Sequence, residues 1–162
     1  MSQFFRGRPS KKQARDPSNA GEVEAALITM LARREHTAGQ ARGKLQARGF
    51  DGGTVDAVLA DFVERHLLDD ARFAQHFIAS RAGRGQGPQR LRQELLELGL
   101  SEAVIQAALA AGPDFRALCR ELRIRKFGAE SPADWPQKAK QMRFLQYRGF
   151  SSDHIRSALD TE

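Results

Sequence analysis

Apolar residues along this chain fall at helical intervals. Val23, Ala26, Leu27, Met30 and Leu31 stand at i, i+3, i+4, i+7 and i+8, a single stripe on one helix face. Val55, Val58, Leu59, Phe62 and Val63 repeat that interval, and Phe115, Leu118, Cys119 and Leu122 begin another such stripe. No stretch sustains apolar–polar alternation with β-branched enrichment, so no strand is expected. The pattern predicts an all-α chain.

The pattern also recurs. Residues 45–59 (LQARGFDGGTVDAVL), 95–109 (LLELGLSEAVIQAAL) and 145–159 (LQYRGFSSDHIRSAL) align at a constant offset of 50 residues without a gap. Gly49, Gly99 and Gly149 follow helical stretches and suit the left-handed residue that closes a helix. Two positions on, Asp51, Ser101 and Ser151 are good N-caps for a following helix. Phe50, Leu100 and Phe150 stand five residues before Val55, Ile105 and Ile155, the spacing of a hydrophobic staple. Three copies of one helix–turn–helix corner are therefore expected. Thr37 and Gln40 fit a capping box, and Pro88 and Pro136 stand where first helical residues would.

Adding the helix that precedes each corner gives three tandem three-helix repeats, over 22–68, 69–111 and 112–162, behind a polar leader over 1–21 expected to be disordered. A repeat of this size has a thin core, so neighbours are expected to stack. With helices about 10–12 Å across, the result would be an elongated, curved array roughly 60–70 Å long.

Composition narrows the function. The 162 residues are 41% hydrophobic and 28% charged, with a net charge of +6. No apolar run approaches the roughly 20 residues of a membrane-spanning helix, and residues 1–15 carry no secretory signal. Cys119 is the only cysteine, which fits a reducing compartment, so a cytoplasmic location is expected. Residues 1–21 hold five basic side chains against Asp16, leaving the rest of the chain at only +2. Any argument about polyanions must rest on where the charges lie.

They lie around the middle helix of each repeat. Residues 33–48 hold Arg33, Arg34, Arg42, Lys44 and Arg48 against Glu35. Residues 81–92 hold Arg81, Arg84, Arg90 and Arg92, and 138–148 hold Lys138, Lys140, Arg143 and Arg148, with no acid in 138–148 or in 81–92. On one helix this would be an ordinary solvated face. Recurring in stacked repeats, it raises the alternative of a basic stripe that binds phosphates without reading sequence and weakens with salt. Asp51, Asp56, Glu102 and Asp153 sit near the starts of the third helices, where a duplex-reading helix would meet phosphates, so the corners read as architectural.

Catalytic chemistry finds little support. The Gly83–Pro88 run lacks the Gly-Lys-Ser/Thr ending of a phosphate loop and reads as a turn before a helix. Asp69 and Asp70 read as helix-starting residues rather than an acid–base pair. His36, His66, His76 and His154 lack metal-ligand spacing, so neither metal nor cofactor is expected. Trp135 reads as a packing residue at a helix entry.

Residues 67–95, LLDDARFAQHFIASRAGRGQGPQRLRQEL, resemble the central signature of the RecX family through Leu68, Asp69, Asp70, Arg72, Phe73, Ala74, Arg81, Gly85, Gly87, Pro88, Arg90, Leu91 and Leu95. LARREHTAGQARGKLQARGF over 31–50 is similar to that family's opening, and the third repeat is looser. The resemblance implies a non-enzymatic, monomeric regulator of the RecA recombinase. Such a regulator binds RecA free or as its filament on single-stranded DNA and depresses ATPase, strand exchange and coprotease activity. It thereby modulates recombination, DNA repair and the SOS response. On this reading the contacts to RecA or DNA are Arg42, Lys44, Arg48, Arg81, Arg84, Arg90, Arg92, Lys138, Lys140, Arg143 and Arg148. That reading also allows direct nonspecific DNA binding; the alternatives are a stand-alone helix-turn-helix DNA-binding protein, selective for duplex sequence, and a helical scaffold for another protein.

Overall fold

Short polar side chains start most of the helices. In a computed structural model that describes residues 13–160, the order is α1 (Ala20–Leu31), α2 (Ala38–Ala47), α3 (Gly52–Glu64), α4 (Asp70–Ala82), α5 (Pro88–Glu97), α6 (Glu102–Ala110), α7 (Phe115–Phe127), α8 (Trp135–Arg148) and α9 (Ser152–Leu159). No strand occurs among the described residues. At the three repeated corners Asp51 accepts the Thr54 amide at 3.0 Å, Ser101 that of Val104 at 3.4 Å, and Ser151 that of His154 at 3.3 Å. Thr37 and Gln40 form the full capping box. Asp134 caps α8, so Trp135 is its first residue and Pro136 its second, one place later than the sequence suggested.

The chain divides into two compact units at Asp69 and Asp70. The first holds α1–α3 around Val23, Leu27, Ala41, Leu45, Val55, Phe62 and Leu68. Residues 1–12 of the expected leader lie outside the described residues. Residues 13–21 are engaged: Ala14 packs on this core, and Ala20 and Gly21 open α1. The second unit holds α4–α9. Its two helix trios share one core, in which Ile78, Leu91, Leu95 and Ile105 join Cys119, Leu145 and Ile155. The thinness of a three-helix core is relieved here by merging two of them.

One joint fixes how those trios meet. The α5 N-cap is Gly87, which has no side chain to satisfy the first amides of the helix. The C-terminus of α8 supplies the acceptors: the Gly87 amide donates to the Arg148 carbonyl at 2.7 Å and the Gln89 amide to the Gly149 carbonyl at 2.9 Å. The positive end of one helix dipole thus meets the negative end of another. The approach needs two residues without side chains. A Cβ at Gly87 would overlap the Gly149 carbonyl carbon, and one at Gly149 would overlap Cβ of Arg90. Gly149 also has φ +93°, in the left-handed region.

In the first unit the position equivalent to Arg148 is Arg48, and its carbonyl also accepts a docked amide. The donor there is Ala14, at 2.9 Å, and the Asp51 amide donates to the Pro17 carbonyl at 2.8 Å. A short irregular segment fills the place that a helix start fills in the second unit.

A buried guanidinium sets the entry to α8. Arg123 on α7 is fully buried and faces no carboxylate among the described residues. Its Nη1 donates to the Glu130 carbonyl at 3.1 Å and to Gln141 Oε1 at 3.3 Å, and Nη2 to the Ala129 carbonyl at 3.2 Å. These bonds hold the α7–α8 connection against α7.

Two glycines give opposite expectations. A Cβ on Gly43, inside α2, meets nothing within 4 Å, so Gly43→Ala should stabilise the fold by up to about 1 kcal/mol. Gly149→Ala carries both a left-handed strain of about 1–2 kcal/mol and the clash with Arg90. Urea unfolding should therefore move the two midpoints in opposite directions, with Gly149→Ala clearly lower than wild type.

Candidate functional site

Charge on the middle helices is partly used up inside the molecule. In the first unit Arg42 of α2 makes a two-pronged pair with Asp56 of α3, at 2.7 and 3.2 Å. In the second, Arg92 of α5 does the same to Glu102 of α6, at 2.6 and 2.8 Å. The hydrogen bond from each arginine, before its charge, holds its carboxylate partner below the usual range. Both arginines tie the middle helix of a repeat to its last helix. In the third repeat the position fifty residues after Arg92 is Met142. It lines an apolar groove of about 390 Å³ between α8 and α9 with Trp135, Lys138, Ile155 and Leu159. Trp135 is not packed at a helix entry as expected: it is 68% exposed.

Lys44 and Arg48 also stand on or next to α2. Lys44 Nζ lies 2.9 Å from His36 Nε2, while His36 Nδ1 lies 2.9 Å from the Arg34 carbonyl. With the carbonyl accepting from Nδ1–H and Nε2 accepting from the ammonium, the ring is neutral and its tautomer defined. Burial lowers the His36 pKa below the usual histidine value, and the Lys44 and Arg34 charges add to this. Arg48 closes α2 with its guanidinium 5.7 Å from the Phe50 ring centre.

In the second unit the α5–α8 joint gathers five of the candidates. Arg84, in the loop before α5, presents its carbonyl to Arg148 Nη1 at 3.5 Å. Arg90, in the first turn of α5, lies 5.8 Å from the ring centre of Tyr147, which is 77% exposed. Glu94 bridges Arg90 and Arg81, at 3.1 Å to each. Arg81 and Arg148 also lie over the rings of Phe77 and Phe144, at 4.5 and 5.3 Å. Arg143 is one turn before Tyr147, on the same side of α8. Arg84, Arg143 and Arg148 have no ion-pair partner among the described residues, so Glu94 is the one acid set against five guanidinium groups. Lys138 and Lys140 are at the other end of α8, about 12–15 Å along the helix from Arg148.

The joint therefore makes a cationic surface with an exposed aromatic ring. Sequence reading missed the ring, although Lys140, Arg143 and Tyr147 are spaced i, i+3, i+7 on one helix. It also missed Lys126 of α7, whose ammonium lies 5.7 Å from the Phe144 ring centre. No cluster of three or more His, Cys, Asp or Glu side chains that could hold a metal occurs among the described residues. Burial pushes the Cys119 thiol up to about 11, so at neutral pH it is a thiol in the core. No described helix is long and apolar enough to cross a membrane.

Residues 69–109 match the family domain described as RecX, second three-helix domain, and residues 114–159 match RecX, third three-helix domain. The chain belongs to the RecX family. The third repeat, where the signature is looser, is thus matched in its own right. The regulatory protein RecX of Halorhodospira halophila is 46% identical over 137 residues, covering 84% of this chain and 85% of the relative. That of Pseudomonas fluorescens is 40% identical over 134 residues, covering 82% and 86%. The crystal structure of RecX from Lactobacillus salivarius superimposes with a TM-score of 0.76 over 86% of this chain and 93% of the other, at 16% identity. The RecX family is one of regulatory proteins, and the helical-repeat fold is common to it and to this chain.

Because His36 is held neutral, folding favours its unprotonated form. Its contribution is complete above the ordinary histidine value of about 6.5 and is lost as pH falls below it. Urea unfolding should show lower stability at pH 5 than at pH 8. His36→Gln should flatten that slope, leaving the part due to His154, which burial also holds low. An unchanged slope would remove His36 as its source.

Proposed function

We propose that this chain is a non-enzymatic regulator of the RecA recombinase, acting as a monomer in the cytoplasm. It binds RecA free or as its filament on single-stranded DNA and inhibits ATPase, strand exchange and coprotease activity. Recombination, repair and the SOS response are modulated as a result. Membership of a family of regulatory proteins supports this reading, and the observation that carries it is the cationic surface at the α5–α8 joint. Three of its guanidinium groups have no ion-pair partner among the described residues and are left for an anionic partner.

The physical route is electrostatic and multivalent. Phosphates of filament-bound DNA, or carboxylates of a RecA protomer, meet Arg81, Arg84, Arg90, Arg143 and Arg148. Lys44 and Arg48 on the first repeat, and Lys138 and Lys140 on the third, supply further footholds. Arg42 and Arg92 act mainly by fixing the helices that carry the others. With the repeats assigned to 22–68, 69–111 and 112–162, several weak contacts on one chain reinforce one another through effective concentration. A regulator held in this way hinders protomer addition or the motions that accompany ATP turnover.

The double variant Arg84→Glu/Arg143→Glu alters two exposed side chains that bridge to no acid among the described residues. The concentration giving half-inhibition of the DNA-dependent ATPase of RecA should rise about tenfold, and its salt dependence should become shallower. Inhibition equal to wild type at the same salt would reject the proposal.

A further inference from the structure

We propose that Tyr147, backed by Arg90, is a stacking platform for a base of a single-stranded nucleic acid. This rests on the functional reading above and assigns to that surface a ligand and a residue that charge alone does not. A phenol ring 77% exposed is unremarkable on its own. Here it stands where two helices are held end to end by main-chain bonds, so the joint fixes the backbone positions from which the ring and Arg90 extend. Arg90 lies 5.8 Å from the ring centre, and its Nε donates to Glu94 at 3.1 Å. The open part of the ring can take the flat face of a base, while Arg143, one turn back on α8, is at hand for a flanking phosphate.

This chemistry selects single strands. A duplex keeps its base faces stacked against each other, whereas an unpaired strand offers them to aromatic side chains and tolerates any sequence. Trp135 is the other strongly exposed aromatic among the described residues, but it lies twelve residues back on α8, about 18 Å along the helix. It borders the apolar groove, with Lys138 and Arg156 as its only cationic neighbours there. The joint carries the argument and the groove does not.

Tyr147 is the only tyrosine in the chain and Trp135 the only tryptophan, which makes the test direct. In full-length Trp135→Phe protein, Tyr147 emission should be quenched on adding a short oligothymidylate. It should respond much less to an abasic oligonucleotide of the same length, which offers phosphates without bases. In anisotropy titrations Tyr147→Ala should weaken oligothymidylate binding about tenfold while leaving abasic binding near wild type. Tyr147→Phe should retain both. Equal binding of the two oligonucleotides by wild type, or equal loss of both in Tyr147→Ala, would overturn the platform and leave the charge-based reading standing. So would a loss of RecA inhibition in Tyr147→Ala with oligothymidylate binding unchanged, which would place the ring against protein. Failure of wild type to bind either oligonucleotide would overturn the platform and the direct DNA contact together.

Discussion

The second unit depends on a contact between two helix ends. The first amides of α5 have no side-chain cap, and the last carbonyls of α8 have no helical partner. Each deficiency satisfies the other across two glycines. Unpaired, these groups would each demand water or a substitute, and the helices would have to part to admit it. Because Gly87 and Gly149 leave no space for a side chain, the joint closes in one way. The merged core beneath it and the cluster of cations above it both follow from that closure.

What the sequence disclosed, and what it withheld, divides along the range of the interactions. The corners were legible because each is decided within about ten residues by a left-handed glycine, a capping side chain and a staple pair. Asp51, Ser101 and Ser151 all cap as their spacing suggests. The fate of individual charges was not legible. Arg42 and Arg92 look like free cations in the chain, yet each is held by an acid ten or more residues away. Arg123 looks like one more surface charge among the basic residues of α7, but the α7–α8 connection folds over it and takes its protons on main-chain carbonyls. Trp135 errs the other way: its size suggested packing, and one step of helix phase at Asp134 leaves it in solvent.

On the proposed reading, a nearly neutral body addresses a polyanion through local charge. Bulk charge outside the leader is small, and two arginines are consumed in bracing. Five of the remaining candidates gather where two helix ends converge, with one carboxylate among their guanidinium groups. Local density decides such an encounter more than net charge does, since potentials beyond about 10 Å are screened at moderate salt. An aromatic ring in the same place adds short-range contact to an attraction that has little selectivity of its own.

The docking of Ala14 on the Arg48 carbonyl has a wider consequence. That socket recognises amide geometry: a proline-containing segment and a glycine-led helix both plug into equivalent sites, the second only because neither Gly87 nor Gly149 carries a side chain. Architecture at these sockets is written in the backbone, so apart from the two glycines the docked segments can change side chains without altering how they join.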